Sequence, residues 1–214
     1  IVTVDDAIDV LQEEATADIE MMAAITPTDK AYLKTSVFET FKSRIPWLLL
    51  LMLSATFTGA IITHYEEAVG TWTILTAFMP MLMGTGGNAG SQSSIAVIRS
   101  LSLGEIELRD IWRVLFKELR VSLICGVVMG VATFIKVLAI DLRLDFSQVL
   151  VALVVSISLV LTVILAKVIG TVLPILAKRI GLDPAVMASP FITTIVDALS
   201  LMLYFEVASA ALGV

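Results

Sequence analysis

Apolar residues do not alternate with polar ones along most of this chain; they run on unbroken. From Trp47 onward five apolar stretches stand out: Trp47 to Thr63, Trp72 to Ile98, about Val121 to Ile140, Val149 to Ala177 and about Ala185 to Leu212. At 1.5 Å per helical residue, each crosses or nearly crosses a hydrocarbon layer of about 30 Å. The first is the shortest and extends back through Pro46, a residue suited to a first helical turn. Before Trp47 the pattern changes. Residues 1–25 read as a short apolar strand and then an acidic helix capped by Asp5 or Asp6, with Ile8, Leu11, Ala15, Ile19 and Met22 on one face. A break at "TPTDK" leads into a second amphipathic helix carrying Lys34, Lys42 and Arg44. The pattern predicts an all-α integral membrane protein in two parts: residues 1–45 outside the bilayer, and residues 46–214 as five transmembrane helices.

Composition agrees. Hydrophobic residues make up 58% of the chain and charged residues 16%, against about 45–50% and 25% in soluble domains. The net charge of −6 leaves no basic footprint for a nucleic acid. A single cysteine, Cys125, forms no internal disulfide or thiolate cluster and reads as a small core hydrophobe. The chain opens at Ile1 without methionine or signal peptide, as a piece of a longer protein would.

The basic residues orient the spans. Lys30, Lys34, Lys42 and Arg44 precede the first. Arg99, Arg109, Arg113, Lys117 and Arg120 separate the second from the third, and Lys178 and Arg179 the fourth from the fifth. The opposite connections hold His64, Glu66 and Glu67, and Asp141, Arg143 and Asp145. The positive-inside rule then predicts a cytoplasmic N-terminus and an outside C-terminus in a cell membrane. Lys136 and Lys167 remain inside apolar runs; both are expected to snorkel, Lys167 with a wet interior as the alternative. Five spans exclude two equal inverted repeats within one chain. A pore is therefore expected between subunits, on the two-fold axis of a homodimer.

Two stretches carry candidate chemistry. "GLDPAVMASPFITTIVDALSLMLYF" holds the one acid deep in an apolar run, Asp197, about 18 Å along a helix from Ala185. A carboxylate there must face water, a cation or a donor. Thr193 and Thr194 lie one turn before it and Ser200 one turn after, with Ser189 at the edge of the same face. Asp183 lines up within about 40° of Asp197. It is equally suited to capping the helix ahead of Pro184. Pro190 has no N–H for the carbonyl of Val186, which is left available to a ligand. Oxygen ligands without a His or Cys cluster suit Mg²⁺ or Ca²⁺, and one acid per chain suits a largely hydrated Mg²⁺. The second stretch, "PMLMGTGGNAGSQSS", carries small residues four apart at Gly86–Gly90 and Gly87–Ser91, as does Gly126–Gly130 elsewhere. Such spacing lets helix backbones approach closely. Its amides and hydroxyls, Asn88 foremost, either bond neighbouring helices or line a pore beside Asp197.

These two segments together resemble the signature segments of the MgtE magnesium transporter family, and the resemblance extends over the whole membrane part. It implies a homodimeric Mg²⁺-selective channel moving Mg²⁺ down its electrochemical gradient, with Mg²⁺ both as transported and as regulatory ion. The family's central pore aspartate falls on Asp197, its inner acid on Asp183 and its span-2 asparagine on Asn88. Gly86, Gly87, Val186, Ser189, Thr193, Thr194 and Ser200 would line the same path. Ser189 departs from the asparagine some members carry before the proline. Residues 1–25 resemble the tail of a CBS domain passing into the family's connecting helix. The resemblance implies closure by cytoplasmic sensing domains, whose bulk lies outside these residues, so that closure should weaken in this piece alone.

Two other functions remain open from the sequence: a proton- or sodium-coupled secondary transporter using Asp197, and a membrane module whose polar groups serve packing. No nucleophile–base pair or metal-hydrolase motif points to an enzyme.

Overall fold

The computed structural model describes residues 3–28, 30–65, 70, 73–141, 146–187 and 189–213. Six long helices organise them. Helix α1 spans Val4–Met22, α2 Val37–His64 and α3 Met79–Ser102. Helix α4 spans Ile111–Lys136, α5 Phe146–Arg179 and α6 Ser189–Leu212. No strand occurs among the described residues.

The local sequence explains the ends. Thr3 caps α1: its hydroxyl accepts the Asp6 N–H, and Asp6 accepts the Thr3 N–H in return. Asp6 therefore serves as capping partner, not as cap, and Val4 lies in the helix where a strand was expected. Ser36 and Glu39 form the same reciprocal pair at the start of α2. That helix corrects a second expectation. The amphipathic segment and the first apolar run are one continuous helix, with Pro46 in its interior instead of its first turn. Gly104 and Gly181, at φ 69° and 79°, close α3 and α5 with left-handed turns. There the Glu105 N–H reaches back to the Ser100 carbonyl and the Leu182 N–H to that of Ala177.

Among the described residues, four helical segments are long and apolar enough to cross a membrane: Val37–His64, Leu108–Ala139, Gln148–Arg179 and Pro184–Leu212. The remaining expected span, the second along the chain, is α3; it has 24 residues, but its glycines, hydroxyls and amides dilute its apolar character.

Helices α3, α5 and α6 pack against one another as a three-helix core, α4 leans on α5, and α2 touches the bundle through α6. Thr58 is the buried residue of α2, so this helix turns most of its surface outward. The core is close-packed because its contacts are small. A Cβ on Gly90 would lie 2.9 Å from Ile192 Cγ2 and 3.1 Å from the Ala166 carbonyl oxygen, and one on Gly170 would strike the Gly90 carbonyl. Gly126 and Gly130 bring α4 onto Val160 of α5 in the same way. The close-approach reading of these glycines therefore holds. At the end far from α1, Leu75, Leu82, Val155, Leu159, Leu201 and Phe205 fill the interior. Buried Tyr204 donates to the Leu75 carbonyl there at 3.0 Å.

Candidate cation pathway

Helix α6 enters through a 3-10 turn, Pro184–Met187. Asp183 starts that turn by accepting the Ala185 N–H at 2.8 Å, the capping role its "DP" context foretold. Val186 lies within the turn, half buried. Ser189 is the first residue of α6; its side chain lies outside the described residues. Eight residues on, about 12 Å along the axis, sits Asp197. Its Oδ1 is buried and has no hydrogen-bond partner. An ionised carboxylate has about four acceptor sites, and a buried one left without a donor is costly. A cation or its water shell is a ligand that this atom fits.

The neighbouring hydroxyls divide. Thr194 donates to the Pro190 carbonyl at 3.0 Å, so its proton is committed to its own helix. Thr193 packs over Gly87: a Cβ there would lie 2.8 Å from its Cγ2. Ser200 is fully buried, facing Gly86 and Thr162 across the α3–α5–α6 crossing. Its hydroxyl has no hydrogen-bond partner. Gly86, Gly87, Thr193 and Ser200 thus come together as the α3–α6 contact. Ser200 belongs to that packed crossing, where the helical wheel alone put it on an open face.

Asn88 lies on the other side of α3. It is exposed, as are Gly84 one turn before and Gln92 one turn after. Two amides four residues apart therefore form an uncovered polar stripe on a helix whose opposite face is buried in the core. Hydrocarbon is a poor neighbour for such a stripe.

At the α1 end, Met21 and Met22 pack on Ile98 and Ala185, so α1 rests against the foot of α6. Its Asp18 carboxyl is held above the usual carboxylate range, first by burial and then by the charges of Asp183 and Glu14. At the far end Tyr65 donates to Glu206 at 2.6 Å and joins α2 to α6. Glu66, Glu67, Arg143 and Asp145 lie outside the described residues.

Lys167 corrects an expectation. It does not snorkel: its side chain is 7% exposed and lies 3.8 Å from Glu118 of α4. Ser93 of α3 joins both, donating to Glu118 at 2.7 Å and accepting from Lys167 at 3.1 Å. The available signal was an acid and a base, Glu118 just before the third apolar run and Lys167 inside the fourth; two such charges avoid burial costs only together.

Helices of this length and composition, packed through glycines around a half-buried acid, define a multi-pass α-helical membrane protein. The chain belongs to the MgtE family of divalent cation transporters, whose model matches residues 79–207, the stretch from the start of α3 into α6. It is 37% identical over 208 residues to the magnesium transporter MgtE of Thermus thermophilus and 40% identical over 214 to that of Bacillus subtilis. The Enterococcus faecalis magnesium transporter MgtE is 32% identical over 209 residues. These alignments cover 97%, 98% and 98% of this chain but 45%, 45% and 44% of the relatives, so the chain spans under half of their length. The family is one of transporters, not enzymes.

Proposed function

We propose that this chain is the membrane part of a Mg²⁺ channel. Two copies would pair about a two-fold axis, with α3 and α6 of each lining a shared pore. Mg²⁺ would pass largely hydrated, down its electrochemical gradient. The observation that carries the reading is the buried, partnerless Oδ1 of Asp197 midway along α6. The magnesium-transporting relatives named above support the choice of ion. One carboxylate per chain would hold Mg²⁺ through its waters, since that ion dehydrates reluctantly. The uncovered stripe of Asn88 and Gln92 supports the dimer: a second copy or a water-filled pore suits it better than lipid.

In this arrangement α3 also crosses the membrane, as the second of five spans, and the α1 end, with most of the lysines and arginines, is cytoplasmic. Residues 1–45 would couple the pore to cytoplasmic Mg²⁺-sensing domains. The contact of Met21 and Met22 with Ala185 supports that coupling, as does the mutual repulsion of Asp18 and Asp183, which a divalent cation would relieve.

The test is Mg²⁺ flux and single-channel current in proteoliposomes under an imposed gradient. Asp197→Asn should lower flux about 100-fold with the dimer intact, a loss of roughly 2.7 kcal/mol. Wild-type flux in that variant removes Asp197 from the pathway. Uptake that needs a proton or sodium gradient overturns the channel.

A further inference from the structure

The buried cluster of Lys167, Glu118 and Ser93 is not used by the pore described above. We infer that it is a positioning unit: it sets the rotation of α3 and through it the placement of Asn88. The inference deepens the proposed pore and rests on it.

The geometry is specific. Ser93 is 2% exposed and Lys167 6%, so three polar groups are closed into the junction of α3, α4 and α5. Glu118 is the most open of the three, its side chain 15% exposed, and one side of it borders a cleft of about 390 Å³ lined also by Ser100, Glu105, Asp110, Arg113 and Lys117. The serine hydroxyl gives its proton to the carboxylate and its lone pair to the ammonium, so both charges are answered through one α3 side chain.

The next residue ties α3 in another direction. Ser94 is fully buried and donates to the Met187 carbonyl at 3.1 Å, in the turn that leads into α6. Two consecutive residues, about 100° apart on the helix, therefore hold α3 to the α4–α5 pair and to the foot of α6. Steric interlocking is thinnest at the middle of α3. There the face turned to α5 and α6 carries Gly86, Gly87 and Gly90, which allow close approach but offer no side-chain knobs, while Leu82 and Val97 interlock to either side. Asn88, five residues before Ser93 and about 140° round, takes its direction from that anchor.

Stability does not account for the cluster. A buried ion pair is generally no more stabilising than apolar side chains of similar volume, whereas a polar junction can select one arrangement among several. A mobile Asn88 would blur the pore's preference for one cation over another.

The experiment uses full-length protein in proteoliposomes, with Mg²⁺ and Ca²⁺ uptake measured per folded dimer. Lys167→Met with Glu118→Met removes both charges and keeps the volume. It should fold and lower the ratio of Mg²⁺ to Ca²⁺ flux about threefold or more. Ser93→Ala should do the same with both charges left, and Lys167→Arg should retain most of the ratio. A purely structural role would change the amount of folded dimer but not the ratio. An unchanged ratio in folded Met/Met protein overturns the inference. If that double variant does not fold, Ser93→Ala decides in the same way. Asp197→Asn is measured alongside. If it keeps wild-type flux, the pore fails and the inference with it. If it loses flux while Ser93→Ala and the double variant keep their ratios, only the positioning role fails.

Discussion

Two of the groups of buried polar atoms among the described residues are treated in opposite ways. At the junction of α3, α4 and α5, Lys167, Glu118 and Ser93 answer one another, and each finds its partner within the chain. On α6, Asp197 Oδ1 and Ser200 Oγ find none. The first group is complete in one copy, as a junction between helices must be if it is to hold them. The second is incomplete, and its Asp197 oxygen is what the proposed pore requires, because an acceptor already satisfied by the protein has nothing to offer a cation.

The contrast can be broken by taking one partner from the complete cluster. Glu118→Leu should strand the Lys167 ammonium and destabilise the protein by about 3–5 kcal/mol. Unfolding in detergent measures it; a change below about 1 kcal/mol would mean that the pair is not closed off from water. Asp197→Asn, which strands no partner, should leave the unfolding midpoint close to wild type while it lowers flux about 100-fold. Next in size comes the backbone crossing that both groups depend on. A Cβ at Gly170 meets the Gly90 carbonyl, so Gly170→Ala should cost about 1–3 kcal/mol in the same unfolding measurement. Asn88→Leu should lower Mg²⁺ flux about tenfold, or 1.4 kcal/mol, with the amount of folded dimer maintained. The reverse result would move Asn88 from the pathway to the packing. The smallest effect belongs to Gly84. Nothing lies within 4 Å of a Cβ there, so Gly84→Ala should stabilise by up to about 1 kcal/mol through helix propensity. Gly84 and Gly86 are two residues apart in one glycine-rich stretch, and alanine at Gly84 should be tolerated where alanine at Gly86, 2.8 Å from Thr162 Cγ2, is not.

Much of the candidate site was legible along the chain. An isolated acid in an apolar run is conspicuous without any neighbour in view, and glycines spaced by four announce a close helix contact because that spacing returns to the same face. Asp183 was legible too, because a capping residue and the proline after it act within one turn. Lys167 was not. Whether a lysine snorkels or pairs depends on what an α4 side chain 49 positions earlier in the sequence presents to it. Ser200 was misjudged for a related reason. Its angular place on α6 was right, but that face is covered by α3 and α5. Pro46 misled because a proline at a first turn and a proline tolerated inside a long helix look alike in sequence.

By itself, then, the sequence determined the helical membrane character, the isolated acid within α6 and the glycine faces. All of these follow from local covalent geometry and the thickness of hydrocarbon, which act on each segment separately. Only the tertiary structure decided which polar groups are partnered and which are left open. That depends on how each helix is rotated against its neighbours. At 100° per residue, the difference between Ser93 facing Glu118 and Ser94 facing Met187 is a single step along the chain.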